Sequence, residues 1–198
     1  MDCGKVGKLI YNLRKEKEMT QKQLADAMNI SDKTISKWER GMGCPDVSIL
    51  QELSEVLGVN IEKILLGDLE PNSVEAGNMK KIKFYICPTC GNIITSTSGA
   101  DLSCCGRKLA ALKPKQAEGK HQLEVETVEE DYYITFTHEM SKEHFLNFIA
   151  YVTLDKVLFV KLYPEQSGEV RIPKLRGGGT LYFGCNQHGL WTQEVRSK

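Results

Sequence analysis

Apolar positions recur with a helical period through the first third of the chain and with a strand period through the rest. Val6, Ile10 and Leu13 fall on one helix face, as do Ile49, Leu50, Leu53 and Leu57. Thr20-Gln-Lys-Gln23 has the form of a capping box, with Thr20 as the cap and Gln23 reaching back to it. The helix it opens turns Leu24, Ala25 and Met28 inward and stops at Asn29, which tolerates the left-handed backbone of a tight turn. Ser31 caps a second short helix, with Ile35 and Trp38 inward and Asp32, Lys33, Thr34, Ser36 and Lys37 outward, and Gly41 ends it. Residues 68–82 carry no sustained period and read as a linker. Beyond Lys83 the chain is strand-like: Leu123–Thr127 and Tyr133–Thr137 alternate, and 157–163 is a mostly apolar run.

A length of 198 residues allows one large or two small domains. Lys plus Arg equals Asp plus Glu, 26 each, so the whole chain has no bulk field that argues for nucleic acid or membrane. The bias is local: residues 1–41 hold nine Lys/Arg against six Asp/Glu, whereas residues 42–67 hold one against four. The opening Met-Asp-Cys-Gly-Lys-Val-Gly-Lys has no apolar run, and no stretch approaches the roughly 18 apolar residues of a membrane span. A soluble, cytoplasmic protein with no membrane partner is expected.

Seven cysteines in such a chain read as thiolates or metal ligands before disulfides. Cys87 and Cys90 form a C-x-x-C knuckle, and after thirteen intervening residues Cys104 and Cys105 stand side by side. Four thiolates in one short stretch can complete a tetrahedral set for iron or zinc. The plain alternative is a zinc knuckle that only folds its segment. Cys3 and Cys44 fit neither this set nor the next; Cys44 reads as a loop residue, and a redox role for either is the lesser alternative.

The four histidines, His121, His138, His144 and His188, are joined by Cys185, three residues before His188. Imidazole suits iron, copper, nickel or zinc, and one thiolate adds strong electron donation. Scattered surface histidines are the bland alternative.

Residues 19–41, from Met-Thr-Gln-Lys-Gln-Leu through Ile-Ser-Lys-Trp-Glu-Arg-Gly, resemble the core of the Cro/C1-type helix-turn-helix family, and the likeness runs from about Lys5 to Gly67. The departure is Asn29 in the turn, often glycine there. The resemblance implies a five-helix domain that binds double-stranded DNA as a homodimer. Its second motif helix would enter the major groove with Asp32, Lys33, Thr34 and Lys37 toward base edges, and Gln21 and Arg40 would meet phosphates. A helical domain used only for protein contacts is the alternative.

The four-cysteine stretch resembles desulforedoxin, whose rubredoxin-like centre holds one iron. The segments Gly-Lys-His121, His138-Glu-Met-Ser-Lys-Glu-His144 and Cys185-Asn-Gln-His188-Gly-Leu-Trp resemble the superoxide reductase domain of desulfoferrodoxin. That likeness implies an immunoglobulin-like sandwich in which His121, His138, His144 and His188 are nitrogen ligands and Cys185 is an axial thiolate. It also implies Lys120 as the cation that draws in superoxide, and a rubredoxin-like electron donor. The family's Glu-Lys-His is here Gly119-Lys120-His121, and Gln122-Leu123 replaces its Val-Pro.

The expected chain is therefore multidomain: an all-α helix-turn-helix domain (1–67), a linker (68–82), a small metal knuckle (83–112) and an all-β sandwich (113–198). Its expected activity is reduction of superoxide to hydrogen peroxide at iron, with the four-cysteine iron as electron relay and zinc as the other candidate there. The alternative is a transcription regulator whose iron centres sense superoxide, redox state or iron.

Overall fold

The structure, a computed structural model, describes residues 1–72 and 77–195 and divides into two compact units, Met1–Pro71 and Asn72–Lys198. Residues 73–76 of the expected linker and 196–198 of the expected sandwich lie outside the described residues.

The first unit is five helices: α1 (Cys3–Glu16), α2 (Gln21–Ala27), α3 (Asp32–Glu39), α4 (Leu50–Leu57) and α5 (Ile61–Leu66). The capping box forms in both directions, Thr20 Oγ1 accepting from Gln23 N and Gln23 Oε1 from Thr20 N. Asn29 takes a φ of 54°, the left-handed turn expected of it. Val6, Ile10, Leu13, Leu24, Ile35, Trp38, Leu53 and Ile64 meet in one core. Beside it lies a charge pair the apolar pattern does not reveal. Arg14 makes two hydrogen bonds to the Glu39 carboxylate, at 2.6 and 2.9 Å, and a third to the Met19 carbonyl at 2.7 Å. Glu39 also accepts from the Gln21 side chain at 2.7 Å. Burial alone would raise the Glu39 pKa, but the bonds from Arg14 and Gln21 outweigh it and hold the carboxyl below its ordinary value.

One expectation about the cysteines is corrected in this unit. Cys3 and Cys44 are joined as a disulfide. They lie 41 residues apart in sequence, and only the packing of α1 beside the turn after α3 brings them together.

The second unit is built from strands. A short hairpin pairs β1 (Lys83–Ile86) with β2 (Ile93–Ser96), and another pairs β3 (Leu102–Cys104) with β4 (Arg107–Leu109). The larger sheet has five strands. β5 (Lys115–Gln116) lies parallel beside β12 (Gly189–Val195), which pairs with β11 (Gly179–Cys185), then β8 (Leu146–Val152), then β9 (Val157–Lys161). The smaller sheet runs β10 (Glu169–Pro173), β7 (Asp131–Thr135), β6 (Glu124–Val128).

One core joins the two sheets: Tyr132, Ile134 and Ile172 of the smaller meet Ile149, Tyr151, Leu181, Phe183 and Trp191 of the larger. This is the sandwich expected. The alternation read at Tyr133–Thr137 is present, with Tyr132 and Ile134 buried. β8 escaped that reading because all seven of its residues are buried. Ile149 and Tyr151 face the sandwich core, while Phe148, Ala150 and Val152 join a second core with Ile82, Phe84 and Leu190. Phe84 stacks on Phe148 with ring centroids 5.2 Å apart. Packing therefore crosses the expected boundary between 83–112 and 113–198, and Ile82, the last residue of the expected linker, is buried in that second core.

Candidate functional site

The four-cysteine cluster forms at the tips of the two hairpins. Cys87 follows β1, and its carbonyl accepts from Gly91 N at 2.9 Å, closing the C-x-x-C knuckle. Cys104 ends β3, and its partner across the ladder is Arg107, so Cys105 and Gly106 form a two-residue hairpin turn. Both have positive φ, 50° and 73°, as a type I′ turn requires. Neighbouring residues of a regular strand point to opposite faces; the left-handed turn at Cys105 lets both thiols face one point. The four sulfurs lie within 4.8 Å of one another, with Cys90–Cys104 at 3.6 Å and Cys104–Cys105 at 4.0 Å. Sulfurs bound tetrahedrally at about 2.3 Å stand about 3.8 Å apart, so the set fits one ion.

Proton affinities agree with that fit. The backbone N–H of Cys90 brings the Cys87 thiol down to about 6, whereas hydrogen bonding to Cys90 and Cys87 pushes Cys105 up to about 12. One thiolate forms readily, and the last proton leaves only if a cation takes its place.

The second cluster draws on three separate segments of the sandwich. His121 ends a 3₁₀ turn at Gly119–His121, His138 and His144 lie between β7 and β8, and Cys185 and His188 lie at the β11–β12 turn. Their donor atoms fall within 4.8 Å of one another. His144 Nε2 is 3.2 Å from His188 Nδ1, which is 3.4 Å from Cys185 Sγ. Two nitrogens bound at right angles to one ion at roughly 2.1 Å would stand about 3.0 Å apart.

Three of the four rings are held by contacts away from their inward nitrogens. His138 Nδ1 donates to the Glu139 carbonyl at 2.5 Å, and His144 Nδ1 to the Glu139 carboxylate at 3.0 Å, the usual way a protein fixes the tautomer of a metal-binding histidine. His121 stacks on Trp191, with centroids 4.1 Å apart and planes 15° from parallel. The Cys185–His188 turn is pinned to the His144 segment. Asn186 accepts from Phe145 N at 2.9 Å and donates to the Glu143 carbonyl at 2.9 Å. His188 N donates to Cys185 Sγ at 3.4 Å.

Among the described residues, His121 Nε2 and His138 Nε2 are buried and have no hydrogen-bond partner. Burial, then the neighbouring imidazoles, lower His121 to about 4; burial likewise lowers His138. Neutral, buried nitrogens with nothing to bind are what a metal site needs.

Lys120 is exposed on the turn just before His121. Lys115 also lies beside the cluster: its amine is 3.3 Å from the His188 carbonyl and 5.3 Å from the Trp191 ring centroid. Sequence reading missed Lys115, Glu139 and Trp191 as supports, though Glu139 and Trp191 stand inside the motifs that marked the ligands. Gly119, where the family has Glu, takes a φ of 54°, a backbone suited to glycine.

In the helical unit, Asp32, Lys33, Lys37 and Arg40 are exposed and Thr34 half-buried along α3. Two expected contacts have internal partners: Gln21 donates to Glu39, and Arg40 Nε donates to the Ser36 carbonyl at 3.1 Å.

Among the described residues no helix is long and apolar enough to cross a membrane. The Helix-turn-helix (HTH_3) family model matches residues 10–64. The "HTH-type transcriptional activator BcrR" of Enterococcus faecalis is 38% identical over 80 residues, 39% of this chain, and the match spans only 39% of that protein. The "Desulfoferrodoxin" of Syntrophotalea carbinolica is 28% identical over 123 residues, covering 58% of this chain and 98% of its own. The superoxide reductase from Treponema pallidum shares the fold at a TM-score of 0.50 and 20% identity, over 57% of this chain and 96% of that one. The chain thus joins an N-terminal helix-turn-helix domain to a region homologous to desulfoferrodoxin that carries both clusters.

Proposed function

We propose that the chain binds double-stranded DNA through its first unit and reduces superoxide to hydrogen peroxide at the four-histidine, one-cysteine centre. The observation that carries this reading is the convergence of five donor atoms from separate segments, two of them buried and otherwise unpartnered. His121, His138, His144, His188 and Cys185 would hold iron, and Cys87, Cys90, Cys104 and Cys105 a second iron or zinc. Bound iron would supply the single electron that superoxide takes, restored by a rubredoxin-like donor. The protein's part is to place and charge that site. Cys185 presents a thiolate whose charge raises electron density at the centre. Lys115 and Lys120 give a positive approach for an anionic substrate, and Lys120, beside His121, is the residue to hold water for proton delivery. Glu139 and Trp191 fix the rings.

On α3, Asp32, Lys33, Thr34 and Lys37 would face base edges. Arg40 would meet phosphate, and Gln21 would do so only after leaving Glu39. Two copies would present two such helices to half-sites roughly 34 Å apart. The working division is 1–67, 68–82, 83–112 and 113–198, in the cytoplasm.

The test is a pulse of superoxide on anaerobically reduced, iron-loaded protein beside its His121→Ala variant. Fast superoxide loss in the first and spontaneous decay in the second is the expected result; spontaneous decay in both removes the reductase reading. The fused helix-turn-helix domain favours a second reading, in which the centres regulate DNA binding. Equal DNA affinity of the ferrous, ferric and metal-free forms would exclude that one.

A further inference from the structure

The first unit holds a redox group that neither cluster uses. Cys3 is the first residue of the 14-residue helix α1, and Cys44 lies in the turn that leaves α3; their Cα atoms are 4.9 Å apart and the sulfurs are bonded. Both side chains are partly exposed, and neither belongs to the hydrophobic core of the unit. The approach of the two segments also has support besides the sulfur bond: a Cβ at Gly41 would lie 3.1 Å from Gly4 Cα and 3.7 Å from the Cys3 carbonyl. The pair is thus pre-positioned by packing and reachable from solvent, which suits a bond that is made and broken rather than one on which the fold depends. Cys3 opens α1. Asp2, next to it, is occupied in capping Gly4 N and Lys5 N.

We propose that Cys3 and Cys44 are a reversible thiol–disulfide switch on the helix-turn-helix domain, closed by hydroperoxide and opened by dithiol exchange. In closing, the Cys3 thiolate attacks one peroxide oxygen and the O–O bond breaks, leaving a sulfenic acid and, after protonation, water. Cys44 then attacks the sulfenic sulfur and expels hydroxide, protonated to a second water. Two thiols lose two electrons and two protons, and one hydrogen peroxide becomes two waters. In opening, an external dithiol attacks the disulfide and leaves with it, returning both thiols. Closing ties the exit of α3 to the first residue of α1. Where the peroxide is the product of the second unit, the switch rests on the reductase reading; where it is supplied from outside, it does not.

The experiment uses full-length, metal-loaded protein reduced with dithiothreitol and desalted under argon. Samples take stoichiometric hydrogen peroxide, are quenched in acid, alkylated, digested and weighed. The expected result is that the Cys3 and Cys44 peptides lose their label together, joined with the loss of two hydrogens, and regain it after fresh dithiothreitol. A Cys44→Ser protein of unchanged helix content should instead retain a labelled or sulfenic Cys3. Persistence of both free thiols, or a disulfide that native protein never yields to dithiothreitol, overturns the switch. A parallel arm replaces added peroxide with superoxide and a reductant, with and without catalase. Closure that catalase prevents links switch and reductase. Closure by added peroxide but not by superoxide leaves the switch standing and counts against the reductase.

Discussion

Trp191 lies nearly flat on His121, 15° from parallel, and His121 Nε2 on that ring is buried without a partner among the described residues. The indole holds the ring while leaving its nitrogen free. Trp191→Phe should keep the stack and bind metal almost as the parent does, since Trp191 Nε1 makes no hydrogen bond among the described residues. Trp191→Ala should weaken binding by about 10- to 100-fold, the usual effect of losing a group that orients a ligand. Competition with a chelator measures both, and an unchanged affinity in the alanine variant would show that the stack does not position the ring.

Arg14 and Glu39 should decide the acid stability of the first unit. The Glu39 carboxyl is held below its ordinary 4.5, so the unfolded chain binds its proton first as pH falls. Stability from this pair is fully present above about 4.5 and is lost as pH drops through the lower folded value. Arg14→Met, which leaves the buried carboxylate without its cation, should cost about 3–5 kcal/mol at neutral pH. Urea unfolding followed by helical circular dichroism at several pH values reads both effects; a variant as stable as the parent would mean the pair contributes little.

Gly119 should resist replacement by the family's glutamate. Its φ is 54° and no atom lies within 4 Å of a Cβ built there, so the cost is conformational and not a clash. Gly119→Ala and Gly119→Glu should each lose about 1–2 kcal/mol. A Glu variant markedly less stable than the Ala variant in thermal unfolding would contradict that account.

Cys105 should be more than a quarter of its cluster. Cys105→Ser keeps the size but removes the sulfur, and the expected outcome is loss of the metal from this centre with the His/Cys centre still loaded. Metal analysis with separate spectra for the two centres distinguishes this from global unfolding, which would empty both.

Much of this was legible along the chain because each ligand sits in a tight motif. Cys87/Cys90, Cys104/Cys105 and Cys185/His188 announce themselves by spacing, and the Thr20 capping box and Asn29 turn mark the helical motif by local chemistry alone. What stayed hidden depends on tertiary contact. Cys3 and Cys44 are far apart in sequence, Lys115 reaches the His188 carbonyl across 73 residues, and Gln21 looked like a surface amide until Glu39 was placed beside it. β8 was missed for a different reason: a strand buried on both faces has no polar positions with which to alternate.

That strand carries one more implication. Phe148, Ala150 and Val152 are roofed by Ile82 and Phe84, the lead-in to the four-cysteine hairpins. A descendant that discarded residues before 113 would inherit an oily outer wall on its sandwich. To remain soluble it would have to repaint those three positions and Leu190 with polar side chains, or recruit another surface to cover them. Loss of the hairpins is therefore not a clean excision: it would leave Phe148, Ala150, Val152 and Leu190 uncovered on the strands left behind.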